Sequence, residues 1–540
     1  MRKNVLALSI AALIGGAASA GVVIPTGVGL GNAVSNGAGG NYPLANALNP
    51  TVTGVGHILT VPYFTTQGTN KTLLNIVNTD NINGKAVKLR YRGAQNSDDV
   101  FDITIYLSPG DAWTAEVAAA EDGSGISRLV TSDTSCTLPY KQDIKDLAGK
   151  FKTDRVRDAS AAQTREGYIE ILNTADVPPT LVAAATGALG GTANPLWAAI
   201  KHATSGATAG TPTCATAVLD LQENDLDTFA AATANSFHTR GYNYPTGGLF
   251  ANWTVVNVAG FASFSGNATA VRAENGGANG VGNIVWFPQT SAGQANGTDA
   301  DVATTLSADP LLLGGAVISA KYDYPDLSTP YTGAVTAETQ ANNLTAALAT
   351  AAVSNEFITG NGFSTDWILS QPTRRYHVAV NYAAAAASRL VFRDGSGGGA
   401  NGQASTTLGT AYYAPVNTKA NTANDIAGTP AATVACVVPG TLRGYNREEL
   451  TKTTFVISPA SALTLCGEVS VLSFNNTGES VVGGVLTRSN LNTGTGMAEG
   501  WMRINTPAAN PANGLPIIGY SASKVNGANL GGAWAHRTTR

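Results

Sequence analysis

The sequence predicts a mainly β protein, built from one or two antiparallel β-sandwich (Ig-like) units with helical insertions. Short segments rich in Val, Ile, Leu and aromatic residues alternate with polar residues at a period of two, which is typical of half-buried strands. Abundant turn formers, including 61 glycines, separate these segments. Charged residues make up only 13% of the chain. A composition this low in charge argues against disorder along the whole chain.

The N-terminus has the pattern of a secretory signal peptide over residues 1–20. Arg2 and Lys3 form a short positive region, an apolar run follows from Val5 to Ile14, and Ala18-Ser19-Ala20 is a small-residue cleavage site. The alternative is an N-terminal anchor helix, but the apolar run is shorter than the roughly 18 residues that span a bilayer. We therefore expect export, which permits disulfides.

Residues 21–56 form a leader rich in Gly, Ala and Asn, with no helical period. Such a segment cannot bury a core of its own, but it can add as a strand to an exposed sheet edge. The apolar residues that would make this contact are Val22, Val23, Ile24, Val28 and Leu30. If the edge belongs to a second copy, the contact propagates into a polymer. If it belongs to the same copy, the leader completes its own sandwich; an unstructured terminus is a further alternative.

The first β unit, residues 57–290, opens with an antiparallel meander. Leu73 to Thr79 has the pattern of a buried strand, and Asn83-Gly84 favours a tight hairpin turn. The next strand alternates apolar residues with three cations, which we expect to face water: Lys88, Arg90 and Arg92. Two further strands extend the meander: residues 103–107 and 113–117.

The remaining pattern mixes a few helices with many strands. Helices are predicted at residues 139–163, 215–237 and 334–353. Strands are predicted at 167–172, 253–258, 261–271, 284–287, 367–369, 376–380, 455–457, 469–474, 481–486, 501–504 and 517–521. The second β unit, residues 291–540, thus contains an Ala-rich helix, and its Gly-rich stretch at 394–408 favours a flexible loop.

Four cysteines remain after the signal peptide, an even number that favours two disulfides in an exported chain. Three pairings are possible. We favour Cys136–Cys214 and Cys436–Cys466, because each pair then lies in its own part of the chain. A metal site is the alternative, but no two cysteines have metal-ligand spacing and no histidine lies beside them.

Acidic residues offer the clearest candidate for a bound ion. Asp98, Asp99 and Asp102 cluster in the predicted loop before the strand at 103–107, and Asp299 and Asp301 lie in a second polar loop. Oxygen ligands on such loops hold Ca²⁺ in many exported proteins, so calcium is the one cofactor we consider. The alternative is a solvated turn stabilised by Asp side chains.

No catalytic signature is present, and we do not expect an enzyme. The five histidines lack metal-binding spacing, and the G-x-S-x-G motif of hydrolases does not occur. A Ser or Asp buried beside His238 or His377 would favour a hydrolase. Trp113, Trp253 and Trp286 occupy apolar positions and are assigned to the core, whereas a solvent-exposed row of aromatic residues would indicate ligand binding.

Several stretches resemble exported proteobacterial proteins described only as cell surface proteins. They begin with Leu59-Thr60-Val61-Pro62-Tyr63-Phe64 and end with Gly514-Leu515-Pro516-Ile517-Ile518-Gly519. Others are Thr72 to Thr79, Val87 to Gly93, Leu107 to Trp113 and the segment from Thr365 to Tyr376. The resemblance implies secretion to the surface of a Gram-negative cell and display in a self-assembled layer or filament. It implies no catalytic residues.

Taken together, these features predict a secreted structural protein that self-assembles on the cell surface through its leader. Its partners would be further copies of itself and the cell envelope or extracellular matrix. Without Arg2 and Lys3 the chain has 30 basic and 36 acidic residues, so nucleic acid is not an expected partner. A surface-displayed adhesin or carbohydrate-binding module is the second alternative, and a secreted hydrolase is the third.

Overall fold

The structure is a computed structural model, and it describes most of the chain outside the signal peptide and two long internal segments. The described residues are 22–23, 33–35, 41–95, 97–141, 144, 149–153, 156, 160–182, 189–206, 209–223, 234–260, 262–285, 337–374, 379–380, 390–392, 418–419, 436–437, 439–458, 463–506, 514–527 and 530–540.

The described part is mainly β, as the sequence predicts, and its sheets are almost entirely antiparallel. The leader holds strands β1–β4: Val22–Val23, Ala33–Ser35, Asn41–Pro43 and Ala47–Pro50. Strands β5–β11 are Ile58–Thr65, Asn70–Asn78, Gly84–Gly93, Asp99–Leu107, Ala112–Ala119, Ser127–Val130 and Cys136–Leu138. Strands β12–β19 are Glu166–Val177, Thr180–Val182, Leu189–Ala193, Leu249–Asn257, Ala262–Asn267, Thr269–Asn275, Ala278–Asn279 and Ile284–Val285.

The second half adds sixteen strands among the described residues. Strands β20–β27 are Ala352–Ile358, Phe363–Ser370, Ala379–Val380, Leu390–Phe392, Thr418–Lys419, Cys436–Val437, Leu442–Asn446 and Thr451–Lys452. Strands β28–β35 are Val456–Ser458, Leu465–Cys466, Val469–Phe474, Arg488–Asn492, Glu499–Asn505, Ile518–Val525, Gly531–Ala535 and Arg537–Thr539. The described α-helices are α1 Pro195–Ile200, α2 Thr216–Glu223, α3 Ala234–Thr239 and α4 Ala337–Leu348. Ala161–Thr164 forms a short 3₁₀ helix.

Four large sheets carry the fold. Sheet 1 has the strand order β10-β9-β6-β15-β16, and sheet 2 has the order β11-β8-β7-β12-β5-β17-β18, with β4 also paired to β17. Sheet 3 has the order β28-β31-β30-β21-β33-β34, and sheet 4 has the order β27-β26-β32-β20-β35. Sheets 1 and 2 pack face to face around a core that includes Leu74, Trp113 and Trp253 from sheet 1 and Val61, Leu89 and Ile171 from sheet 2.

Sheet 3 joins the two halves because its two faces belong to two different cores. Successive side chains of a strand point to opposite faces. Ile368 and Tyr520 therefore contribute to the core of sheets 1 and 2, and the ring of Tyr520 lies 4.5 Å from that of Trp253. The neighbouring Trp367 points the other way, into a second core between sheets 3 and 4 that also contains Met502. The two halves thus stack as consecutive layers.

The expectation that Lys88, Arg90 and Arg92 face water is wrong, because all three side chains are fully buried. They form the second face of sheet 2, opposite its apolar face. Lys88 pairs with Asp102, and Arg90 and Arg92 both contact Glu170. Burial of cations is tolerated when carboxylates compensate them in this way.

Several predicted elements differ from the observed ones. Within the helix predicted at 139–163, residues 149–153 are not helical, and Lys150 forms an isolated bridge with Arg128. The strand predicted at 261–271 is divided into β16 and β17. The helix predicted to reach residue 353 ends at Leu348, and a strand begins at Ala352. Residues 481–486 are not a strand: buried carboxylates of Asp366 and Glu166 accept the backbone N–H groups of this segment, which a ladder would otherwise use. Trp113 and Trp253 are buried as predicted, whereas Trp286 and the loop 394–408 lie outside the described residues.

Candidate functional site

The acidic cluster predicted as a calcium site does not lie on a solvated loop. Asp99 and Asp102 belong to strand β8, and all three aspartates are buried. In the ladder with β7, Asp99 lies opposite Arg92 and Asp102 opposite Arg90. Burial lowers the pKa of Lys88, and the Asp102 carboxylate opposes that shift. Cations of the protein therefore lie opposite Asp99 and beside Asp102.

The described residues contain no group of three or more His, Cys, Asp or Glu side chains placed to hold a metal ion. Asp299 and Asp301 lie outside the described part of the chain. The buried pair of Lys88 and Asp102 disfavours calcium at the cluster to which Asp102 belongs, and melting temperatures with Ca²⁺ and with a chelator test calcium binding directly.

The disulfide Cys136–Cys214 is present, with a Cα–Cα distance of 5.4 Å, and it ties β11 to the segment before α2. Cys466 is also disulfide-bonded, and its backbone lies directly opposite Cys436 in the ladder of β25 and β29. This backbone register fits the predicted pair Cys436–Cys466.

Buried histidines join distant segments through backbone groups. The Ala273 N–H donates to Nδ1 of His57, so Nε2 carries the proton and donates to the Gly280 carbonyl at 3.0 Å. Burial lowers the pKa of His57 to about 3. His536 contacts the Ile368 carbonyl through Nε2 at 2.8 Å, and burial lowers its pKa to about 4. These rings are neutral structural links at neutral pH.

The two other described histidines, His238 and His202, contact carbonyl, hydroxyl and carboxylate groups. Nδ1 of His238 contacts the carbonyl of Tyr242 at 2.9 Å. The Ser108 hydroxyl and the Asp111 carboxylate both approach Nδ1 of His202, at 3.0 and 3.5 Å. The Thr134 hydroxyl lies 3.4 Å from Nε2, so a hydroxyl and the Asp111 carboxylate do flank the ring, but both contacts are longer than the hydrogen bonds of a catalytic triad. His377 lies outside the described residues.

The described leader residues pair with their own chain. Val22 lies opposite Val285 and Val23 opposite Ile284, and strand β4 pairs with β17 at the margin of sheet 2. Of the predicted assembly residues, Ile24, Val28 and Leu30 lie outside the described part. Of the described leader strands, β4 joins a sheet of the sandwich, whereas β1 with β19 and β2 with β3 form separate two-stranded sheets.

Two buried carboxylates fasten the segment from Ser480 to Leu486 between the two halves. Glu166, at the start of β12, accepts the backbone N–H groups of Val485 and Leu486 at 2.9 and 3.3 Å. Burial raises the pKa of Glu166 to about 7. Asp366 of sheet 3 accepts the hydroxyl of Ser480 and the N–H of Val482, and burial raises its pKa.

The outer face of sheet 4 carries an exposed row of aromatic and acidic side chains. Tyr445, Trp501 and Glu356 lie directly opposite one another on β26, β32 and β20, and directly opposed residues share a face. The rings of Tyr445 and Trp501 are stacked, with centroids 4.2 Å apart and planes 10° from parallel. Trp501 is 42% exposed, although its neighbour Met502 is fully buried in the core.

A cleft of about 550 Å³ adjoins this row, between the end of sheet 4 and the outer strands of sheet 3. Glu356, Glu499 and Arg447 lie at its sheet 4 side, and Glu499 and Arg447 form a salt bridge of 2.8 Å. Trp534, 50% exposed, lines the opposite side. A Cβ on Gly532 would approach the Trp534 ring to 3.0 Å, so glycine lets this ring lie against the strand.

Sequence reasoning missed this surface because it assigned the tryptophans to the core. The segment Glu499-Gly500-Trp501-Met502-Arg503-Ile504 did contain the signal. Trp501 alternates with the apolar pair Met502 and Ile504, so it shares the polar face with Glu499 and Arg503.

No family model, curated protein or solved structure matches this chain. The resemblance to exported cell surface proteins therefore stays a prediction. Within the described residues, no helix is long and apolar enough to cross a membrane.

Proposed function

We propose that this is an exported surface protein that binds carbohydrate on the outer face of sheet 4. The stacked pair Tyr445–Trp501, exposed beside Glu356, is the observation that carries the proposal. An aromatic ring offers an apolar face to the C–H face of a sugar, and a neighbouring carboxylate accepts its hydroxyl groups. A contiguous apolar patch on the surface of a soluble protein often marks an interaction site, and the stacked rings form such a patch.

The adjoining cleft extends this surface. Its lining is mostly apolar, with Trp534 on one side and charged groups on the other. Concave sites with an apolar body and a few polar groups are typical of small-ligand binding. A sugar chain that begins at Trp501 can continue past Glu356 towards Trp534.

The proposal is tested by binding of soluble polysaccharides in affinity gel electrophoresis, using wild type, Trp501→Ala and Tyr445→Ala. Truncation of a central aromatic contact costs about 2 kcal/mol, so we expect roughly 30-fold weaker binding. Val456→Ala is the matched control, because Val456 is 70% exposed but lies on sheet 3. Equal binding by wild type and Trp501→Ala would disprove the assignment of the site.

A second candidate function is self-assembly into a layer or filament, and strand β34 favours it. The strand order of sheet 3 ends at β34, whose sequence Gly-Gly-Ala-Trp-Ala contains no charge. Uncharged edge strands are templates for pairing with another chain. A strand from another copy could pair with this edge of β34. The described leader residues would stay paired with their own chain.

Light scattering of the mature protein tests assembly. We expect that Ala535→Lys, which places a charge on the edge strand, abolishes large particles, whereas deletion of residues 21–45 does not. Loss of particles on deleting the leader from a chain that stays folded would instead support strand addition by the leader.

A further inference from the structure

A row of arginines lies beside the aromatic row on the outer face of sheet 4. Arg443 of β26 is directly opposite Arg503 of β32, and Arg503 is directly opposite Ser354 of β20. Ser354 is in turn opposite Arg537 of β35. Directly opposed residues share a face, so the three arginines form one row across four strands. Given the spacing of neighbouring strands, the row is about 14 Å long.

Among the described residues, the groups that contact this row are amide and carbonyl oxygens. Nε of Arg503 donates to the side-chain oxygen of Asn505 at 2.8 Å, and Arg537 donates to the Ala535 carbonyl at 3.4 Å. Among the described residues, no carboxylate forms an ion pair with Arg443, Arg503 or Arg537. By contrast, Arg447 on the same face pairs with Glu499.

Like charges directly opposite each other destabilise a sheet, so the pair Arg443 and Arg503 needs an explanation. Cations often protect an edge strand from pairing, which would account for Arg537 on β35. It does not account for Arg503, because β32 is paired on both sides, whereas β27 pairs with β26 only at Gly444 and Tyr445 and leaves Arg443 at a local edge. An anion that bridges the two guanidinium groups would remove the repulsion.

The two rows are adjacent and parallel. Arg443 and Tyr445 are two residues apart on β26, and Arg503 and Trp501 are two residues apart on β32. Two residues of a strand span about 7 Å. A chain lying across the sheet can therefore place rings on the aromatic row and anionic groups on the arginine row at the same time.

We propose that this face binds an acidic polysaccharide, with its carboxylate or sulfate groups held by Arg443, Arg503 and Arg537. This deepens the proposed function and depends on it. The planar guanidinium group binds such anions through paired hydrogen bonds. The Glu356 carboxylate in the aromatic row accepts hydroxyl groups, which favours a polysaccharide. The same negative charge repels the phosphate that every nucleotide carries, so a nucleic acid is a less suitable ligand.

Two polymer pairs that differ only in charge test the proposal: polygalacturonate with its carboxyl-reduced form, and dextran sulfate with dextran. We expect wild type to bind at least one acidic polymer about ten times more tightly than its neutral partner. Arg443→Gln with Arg503→Gln should remove most of the difference in affinity between that acidic polymer and the neutral one, and leave neutral binding unchanged. Arg128→Gln, on sheet 1, is the matched control for the lost charge.

The outcomes separate this inference from the proposed function. Equal binding of acidic and neutral polymers by wild type would overturn the arginine assignment and leave the carbohydrate site in place. If the double variant binds the acidic polymer as tightly as wild type does, the arginine assignment is likewise overturned and the carbohydrate site stays in place. Failure of all four polymers to bind would overturn both, and tighter binding of single-stranded DNA than of any polysaccharide would overturn the choice of ligand. Circular dichroism checks that each variant is folded.

Discussion

Replacement of Glu166 by glutamine should change how stability depends on pH. The carboxyl group of Glu166 is fully buried where sheet 2 meets the segment from Ser480 to Leu486. Glutamine keeps an oxygen that can accept the Val485 and Leu486 N–H groups, but it does not ionise. The comparison therefore isolates the ionisation of one buried group.

Whether stability rises or falls with pH depends on the direction in which burial moves the pKa of Glu166. Burial raises the pKa of Glu166 from 4.5 to about 7. Below the lower value the carboxyl is protonated in both the folded and the unfolded chain. Between the two values the unfolded chain releases its proton first, so ionisation favours unfolding and stability falls as pH rises. Above about pH 7 both states are ionised, and the folded state carries the full free-energy cost of the buried charge.

The size of the effect is about 3 kcal/mol, because a tenfold change in an acid dissociation constant corresponds to about 1.4 kcal/mol. His57 and His536 act in the opposite direction, since burial lowers their pKa values to about 3 and about 4. Their contribution to stability is lost as pH falls from the ordinary histidine value through these lower values. Both proteins in the comparison share that contribution.

Urea unfolding of wild type and Glu166→Gln between about pH 4.5 and 8 measures the effect. The free energy of unfolding of the variant, minus that of wild type, should grow by about 3 kcal/mol across this range. Glu121→Gln, at an exposed glutamate, controls for the loss of one negative charge. A difference that does not change with pH would refute the reasoning.

Three further predictions concern the interior. Replacing Cys136 and Cys214 together by serine should lower the free energy of unfolding by roughly 4 kcal/mol, because the bond closes a separation of 78 residues; unchanged urea midpoints would contradict this. Since Lys88 balances Asp102, millimolar Ca²⁺ and a chelator should give the same melting temperature, and a rise with Ca²⁺ would restore the calcium site. Trp367→Ala should lower the free energy of unfolding by about 3–5 kcal/mol, because it opens a cavity between sheets 3 and 4. A loss below about 1 kcal/mol would mean that Trp367 does not pack in a core between these two sheets.

Period-two alternation predicted strands and their faces well, but it could not predict what covers a face. It located β6 and β15, and it separated Val87, Leu89 and Tyr91 from the cations between them. It failed for Lys88, Arg90 and Arg92, because their partners come from other strands and distant chain segments. The Tyr168 hydroxyl in the same layer, for example, donates to the carbonyl of Pro372.

The candidate site was only partly predictable for the same reason. Alternation in β32 places Trp501 with Arg503 on the polar face, and this could have been recognised in the sequence. The arginine row could not, because Arg443 and Arg537 reach it only through the strand order of sheet 4. A short turn fixes the register of a hairpin, but no short turn connects β20 to β32 or to β35, so the local sequence does not give their register.

The position of a bound acidic oligosaccharide tests the central claim most directly. In a crystal of the protein grown with an oligogalacturonide, we expect a sugar ring over Trp501 and a carboxylate between Arg443 and Arg503. An ordered oligosaccharide bound elsewhere, with the outer face of sheet 4 exposed to solvent and empty, would contradict the account.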